Sequence, residues 1–440
     1  MKFLRAGVIY AVANVTSAAV PFLMLPLLTR VLSPDQYGHV VGFSLLVTLC
    51  MTLAGLNAHA ALGVVWFKKP REEMPVFIAT ALALAIASTV VVAGLVAAVL
   101  ALWPGLATGI TPLWGGLAAL TAGASVMLQC RLVLWQSQQQ PVHNALLQIS
   151  SSAINVGLSL LAVLALGLGS AGRNGGIAAA ALLMAMVALV LFVRAREVRW
   201  APERSHLREL VTFGLPLILH TLAGVLLGTA DRWTVSVQLG SHALGVYGAG
   251  AQLGMVMGIL ADAFVKAYGP WLYAKLASED AADRHAAVGA VYVAMPAFFV
   301  LAALLGAALQ WASTLLLGAK YHEAATVLPW FMLGGAFSGV YLCTSVLFFF
   351  SARTGLLSLT TSSAAGCGAL CTWLLVSRLG VDGAAMGYAT TQGLLALFTT
   401  VVAMKSFDLP WGQPVEALRV WRQRAFPAPL SRPSNTTQEI

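Results

Sequence analysis

The chain predicts an all-α integral membrane protein. About 12 transmembrane helices form two six-helix lobes related by a pseudo-two-fold axis along the membrane normal. Three observations predict this. Of 440 residues, 59% are hydrophobic and 9% charged, and the mean hydropathy is +0.84; a soluble domain carries roughly 25% charged residues. The apolar residues gather in segments of the length that crosses a bilayer, roughly 20 residues. The chain also repeats itself. Tyr37-Gly38 opens the second segment and Tyr247-Gly248 opens the eighth, nearly half the chain later.

The spans lie at about 6–29, 40–64, 76–102, 113–135, 145–168, 176–193, 211–236, 243–267, 287–317, 325–350, 355–378 and 382–404. The first begins with Lys2 and Arg5 like a signal peptide. Its apolar run is too long for one and lacks a small-residue cleavage site, so it reads as a retained helix. Six spans per half is an even number, so both halves insert the same way round, which implies parallel repeats about a central cavity. The domains follow as 1–203, an N-terminal lobe; 204–404, a C-terminal lobe; and 405–440, a cytoplasmic tail. The 41 glycines suit close helix packing. Pro21, Pro26, Pro216, Pro296 and Pro329 favour bends within spans.

Orientation follows from Lys and Arg. Twenty of the 25 fall on one side, among them Lys2, Lys68, Arg194, Arg208, Arg353 and Lys405. Arg30, Arg173, Arg232, Lys320 and Arg378 fall on the other. Both termini are then cytoplasmic. On that side, 194–209 reads as the hinge between halves, and 268–284 as an interfacial amphipathic segment around Trp271, Leu272, Lys275 and Leu276. The tail reads as a short interfacial helix near Val415–Arg424 followed by an unstructured end.

The net charge of +9 is thus a topology signal, and no nucleic-acid partner is expected. The five cysteines all fall in apolar spans and read as small packing residues, not a disulfide framework. No glycine-rich phosphate loop with Lys and no metal-ligand spacing occurs. No enzyme, cofactor or resident metal is expected.

Charges within hydrocarbon are costly and mark pathways, so the in-span polar residues are the candidates. Asp231 and Arg232 stand in span seven, with His220 eleven residues earlier, about 20° from the Asp231 face. The pair is either a structural ion pair or a cavity lining for an anionic substrate. Asp262 and Lys266 in span eight can pair at i, i+4, as a snorkelling pair or a cavity wall. Gln252 lies near that face and could extend a polar stripe inward. Arg30 ends span one as an anchor or a cavity rim. Asn14, Asn57 and His59 suit interhelical hydrogen bonds. The candidate cavity set is Arg30, Asp231, Arg232, Gln252 and Lys266. The candidate coupling set is Asp231, His220 and Asp262, since an ion-coupled carrier needs a group that can change charge in the membrane.

Four stretches carry a family resemblance: LPLLTRVLSPDQYGHVVGF, FGLPLILHTLAGVLLGTADRW, LGSHALGVYGAGAQLG and ADAFVKAYGPWLYAKL. With these the chain resembles the Wzx-type O-antigen and polysaccharide flippases of the multidrug/oligosaccharidyl-lipid/polysaccharide exporter superfamily, over essentially its whole length. The resemblance implies a MATE-like fold in the bacterial inner membrane, with a cationic central cavity to which Arg30, Arg232 and Lys266 could contribute. It implies transport of an undecaprenyl-diphosphate-linked oligosaccharide, a repeat unit of O-antigen or another surface polysaccharide, from the cytoplasmic to the periplasmic leaflet. The implied partners are that lipid-linked oligosaccharide, membrane lipids, a coupling H+ or Na+, and a glycan polymerase. Two rivals remain at this point: a cation-coupled multidrug exporter of the same superfamily, and a non-transporting scaffold for glycan assembly.

Overall fold

The computed structural model describes residues 2–106, 109–351 and 353–425. Among them the secondary structure is helical throughout, with no strand. The helices are α1 (Lys2–Val31), α2 (Pro34–Leu53), α3 (Ala58–Val65), α4 (Met74–Leu102), α5 (Pro112–Ser137), α6 (Pro141–Leu160), α7 (Gly169–Arg194), α8 (Arg204–Leu276), α9 (Ala281–Leu316), α10 (Leu328–Phe350), α11 (Thr354–Ser406) and α12 (Pro414–Ala425).

Among the described residues ten helical segments are long and apolar enough to cross a membrane. Two of them, α8 with 73 residues and α11 with 53, are far longer than one crossing needs. Each breaks at a glycine that the sequence places between two spans. Gly240 has φ 84° and Gly380 φ 61°. A side chain at either position would meet open space, so the glycine is required by the backbone angle and not by crowding. Divided there, the ten segments give twelve.

Helix starts are written locally. Ser33 caps α2: its Oγ accepts the Gln36 N–H at 3.2 Å, and Gln36 Oε1 accepts the Ser33 N–H at 3.1 Å. Proline follows the cap at Pro34, Pro112, Pro141 and Pro414, where its missing N–H costs no bond. The outer surface is apolar, with Leu23, Val90, Leu95, Leu219 and Trp311 at least 60% exposed. Only hydrocarbon suits such a surface.

The sequence reads span two as one helix, but the structure breaks it between α2 and α3. Gly55, Leu56 and Asn57 are all left-handed, and the Ser88 hydroxyl takes the freed Gly55 N–H at 2.8 Å. Span five ends in a wider turn, Leu161–Ala165. The segment after span eight stays helical to Leu276, continuous with α8. The tail helix forms as Pro414–Ala425; the residues beyond it, expected to be unstructured, lie outside the described ones.

The helices group into two compact units. The first holds residues 1–254, 308–330 and 369–388; the second holds 255–307, 331–368 and 389–440. One core of the first unit stacks Phe77, Leu82, Leu134, Phe192 and Leu210, each at most 1% exposed. Within hydrocarbon such packing is held by dispersion and shape more than by water exclusion. Next to it the 195–203 connector is pinned. Arg131 pairs with Glu197 and stacks on Trp135 and Phe192, and Gln138 Nε2 donates to Glu197 at 2.7 Å. In the second unit, Gly289 lets α12 lie against α9 at Ala417 and Trp421.

Candidate functional site: a polar seam and a buried acid

Within the first unit, residues 29–41 meet residues 241–250 and 315–327 along a seam of glycines and polar contacts. An added Cβ at Gly38 would collide with the Ser241 carbonyl, and one at Gly245 with the Pro34 carbonyl. Gly248 makes room for the Val41 side chain. The helical segments that carry the two Tyr-Gly repeats therefore cross closely, with backbone contact at Gly38 and Gly245. Hydrogen bonds flank the crossing. His242 Nδ1 lies 3.0 Å from Asp35 Oδ2, and Ser241 Oγ donates to Asp35 Oδ1 at 3.2 Å. The Gly318 N–H donates to Thr29 Oγ1 at 3.1 Å, and Tyr321 donates to the Leu32 carbonyl at 3.2 Å. Tyr37 packs edge-on to Tyr321.

Asp231 lies below the Gly240 turn on the first arm of α8 and is 7% exposed. Tyr247, on the second arm and fully buried, donates its hydroxyl to Asp231 Oδ2 at 2.6 Å. The Arg232 N–H donates to Oδ1 at 2.8 Å. The carboxylate is thus held by two donors that join both arms of the hairpin. Arg232 does not pair with it. Successive helical residues point about 100° apart, and the Arg232 Nη1 instead donates to the Gly228 carbonyl at 3.3 Å. The acid turns inward and the base is left half-exposed.

The other candidates scatter. Arg30 Nη2 donates to the Leu315 carbonyl at 2.9 Å, at the seam's edge. Gln252 is half-buried on α8. In the second unit, Lys266 and Asp262 form the i, i+4 pair at 2.6 Å, with both side chains more than half exposed. The side chain of His220 lies outside the described residues. Of the uncharged in-span residues, Asn14 Oδ1 accepts from Gln148 at 3.0 Å between α1 and α6, while Asn57 is buried with its Nδ2 unpaired. Tyr247 and the Asp35–His242 pair are the residues that sequence reasoning missed. The only sequence signal for Tyr247 is its place in the Tyr-Gly repeat.

A model of the family described as polysaccharide biosynthesis protein matches residues 3–274. Two proteins of Haemophilus influenzae align with the chain. Lsg locus putative protein 1 is 25% identical over 286 residues, which is 63% of this chain and 67% of that protein. An uncharacterized membrane protein is 22% identical over 282 residues, 63% of this chain and 66% of that protein. The chain thus spans about two thirds of the length of each. Among solved structures, the inward-facing form of a multidrug resistance MATE family transporter of the MOP superfamily superposes with TM-score 0.71 at 13% identity, covering 93% of this chain and 96% of that one. The lipid II flippase MurJ in its inward closed conformation gives TM-score 0.67 at 12% identity, covering 95% and 91%. At such identities the likeness is one of fold. The family match covers more than half of the chain, and with the apolar helices it fixes the class: this chain belongs to the polysaccharide biosynthesis protein family and is a multi-pass membrane member of it.

Proposed function

We propose that the protein is a flippase that carries an undecaprenyl-diphosphate-linked oligosaccharide, a repeat unit of O-antigen or another surface polysaccharide, from the cytoplasmic to the periplasmic leaflet of the inner membrane. The observation that carries this reading is the separation of charge at Asp231 and Arg232. The carboxylate is occupied by Tyr247, while the guanidinium makes one long bond to a backbone carbonyl. A half-exposed Arg without a carboxylate partner suits an anionic head group, because its planar fork can hold two phosphate oxygens at once. A carrier of cationic drugs needs an accessible acid instead, and Asp231 is neither exposed nor unpartnered.

In this reading residues 1–203 and 204–404 move as two lobes. The seam is the periplasmic closure, and both termini face the cytoplasm. Glycine contacts, two exposed hydrogen bonds at Asp35 and two buried ones at Thr29 and Leu32 make a seam that can part as two rigid faces, unlike an interlocked core. With no nucleotide site, direction comes from an H+ or Na+ gradient or from consumption of product outside. Asp231 is the coupling group, and Tyr247 is the residue that positions it. A glycan polymerase on the periplasmic side would draw the product away.

The test is surface polysaccharide in a flippase-null host. Arg232→Ala should abolish export at normal membrane levels of the protein, and Arg232→Lys should keep part of it. Full surface polymer with Arg232→Ala would show that the residue does not contact the cargo.

A further inference from the structure

Among the described residues of the first unit two arginines are deeply buried, and one of these two has a counter-charge. Arg131, 3% exposed, pairs with Glu197. Arg173, 9% exposed and five residues into α7, has neutral partners. Its Nη1 donates to Asn155 Oδ1 at 2.6 Å and to Ser159 Oγ at 2.5 Å, both on α6, and its buried Nε has no partner. A guanidinium stays charged in any protein environment. Burying one without a compensating charge is strongly unfavourable, so an arrangement that keeps it there calls for a compensating group.

The fold seats this side chain closely. Gly172 and Gly176, about a turn apart on α7, bring that helix against α6 at Ser159 and against the turn that follows α6 at Ala162, where a Cβ would not fit. Arg173 projects between these contacts. The neighbouring Asn174, 5% exposed, donates to the His39 carbonyl and has a buried, unpaired Oδ1. Among the described residues no carboxylate is bonded to Arg173.

We propose that Arg173, set between Asn155 and Ser159, is a binding site for a phosphoryl anion. The anion is either the phosphoryl group of a lipid-linked head group or free phosphate. The site deepens the flippase reading and rests on it for its role, though not for its chemistry. Its unpaired Nε and uncommitted Nη2 are the two donors that a phosphate accepts in bidentate form.

The test uses the full chain in nanodiscs of phosphatidylcholine, read by thermal unfolding. One arm adds inorganic pyrophosphate; the other dopes the disc with a polyprenyl phosphate. Asn155→Asp is the decisive variant. It places a carboxylate within hydrogen-bond distance of Arg173, almost without change of shape, so the site neutralises itself while the fold keeps or gains stability. The parent should be stabilised in at least one arm, the arm identifying the source of the anion. Asn155→Asp should bind roughly 10- to 100-fold more weakly, the loss expected for a charge-assisted bond. Arg173→Gln should lose the response too, and Arg173→Lys should keep part of it. No stabilisation of the parent in either arm would overturn the proposal, as would an Asn155→Asp response equal to the parent's. Flipping is measured separately in proteoliposomes. A parent that binds pyrophosphate through Arg173 but moves no lipid-linked sugar keeps the site and sinks the flippase reading. A parent that flips, with an Asn155→Asp variant that flips and binds equally well, does the reverse.

Discussion

Replacing Gly38 by alanine puts a methyl group inside van der Waals contact of the Ser241 carbonyl oxygen. The obstacle is backbone, so no side-chain rotation relieves it. The seam must separate or the two helices must shift. Overpacking of this kind costs about 1–3 kcal/mol. Alanine also favours the helix over glycine by about 1 kcal/mol, but α2 is helical whether the seam is closed or open, so that gain cancels between the two states. The closed seam should therefore lose population by about 5- to 150-fold relative to the open one. The assay is double electron–electron resonance between spin labels at Val31 and Leu239, both exposed, in a cysteine-free background. Gly38→Ala should add a longer distance that is minor in the parent, and polysaccharide export should fall. Gly94→Ala is the control, because a methyl there meets nothing within 4 Å. A distance distribution and export level in Gly38→Ala that match both the parent and Gly94→Ala would refute the idea that the seam is a closure held by backbone contact.

Tyr247→Phe removes the 2.6 Å donor from Asp231 and should cost about 1–3 kcal/mol in thermal unfolding; it should also weaken the response of flipping to an imposed pH gradient, as Asp231→Asn should abolish it while downhill flipping continues. The double substitution Asp35→Cys with His242→Cys, replacing a 3.0 Å pair across the seam, should stop export under oxidising conditions and recover it with reductant; export unaffected by the crosslink would show that the seam need not part. In the second unit Arg424 bonds Asp280 at 2.6 Å and ties α12 to the connector before α9. The Asp280 carboxyl is held below its usual range, first by the Ala282 N–H and then by Arg424. A lowered value in the folded state means the contact is intact above the ordinary value of 3.8 and is lost as pH falls below it; hydrogen exchange in α12 should rise only under such acid, and Arg424→Ala should raise it at neutral pH. Reporters fused after Ser170, Ser241 and His322 should read periplasm, and those after Lys69, Gln139, Glu203, Arg353 and Ser406 cytoplasm; two reversals would overturn the orientation.

The sequence by itself determined the class of this protein and its punctuation. A hydrocarbon crossing demands about 20 apolar residues and tolerates few charges, which is a local and additive requirement. The spans could therefore be counted from residues alone, and the turns that divide α8 and α11 fall at Gly240 and Gly380, within the gaps between predicted spans. The Lys266–Asp262 pair was legible for the same reason, because i, i+4 geometry belongs to a single helix. Everything that required one helix to be placed against another was decided by tertiary structure. The Asp231-Arg232 dipeptide invites an ion pair on paper, yet the carboxylate turned to Tyr247, a partner sixteen residues away. The break at Gly55–Asn57 is invisible to hydropathy, which stays high through it; the Ser88 hydroxyl that satisfies it comes from α4. Arg173 looked like one more residue in a charge count, and became a buried cation only when Gly172 and Gly176 drew α6 over it. Hydropathy fixes which segments enter the membrane, but the rotation and depth of each helix are set by which side chains interlock, and that information is held in pairs of residues far apart in the chain.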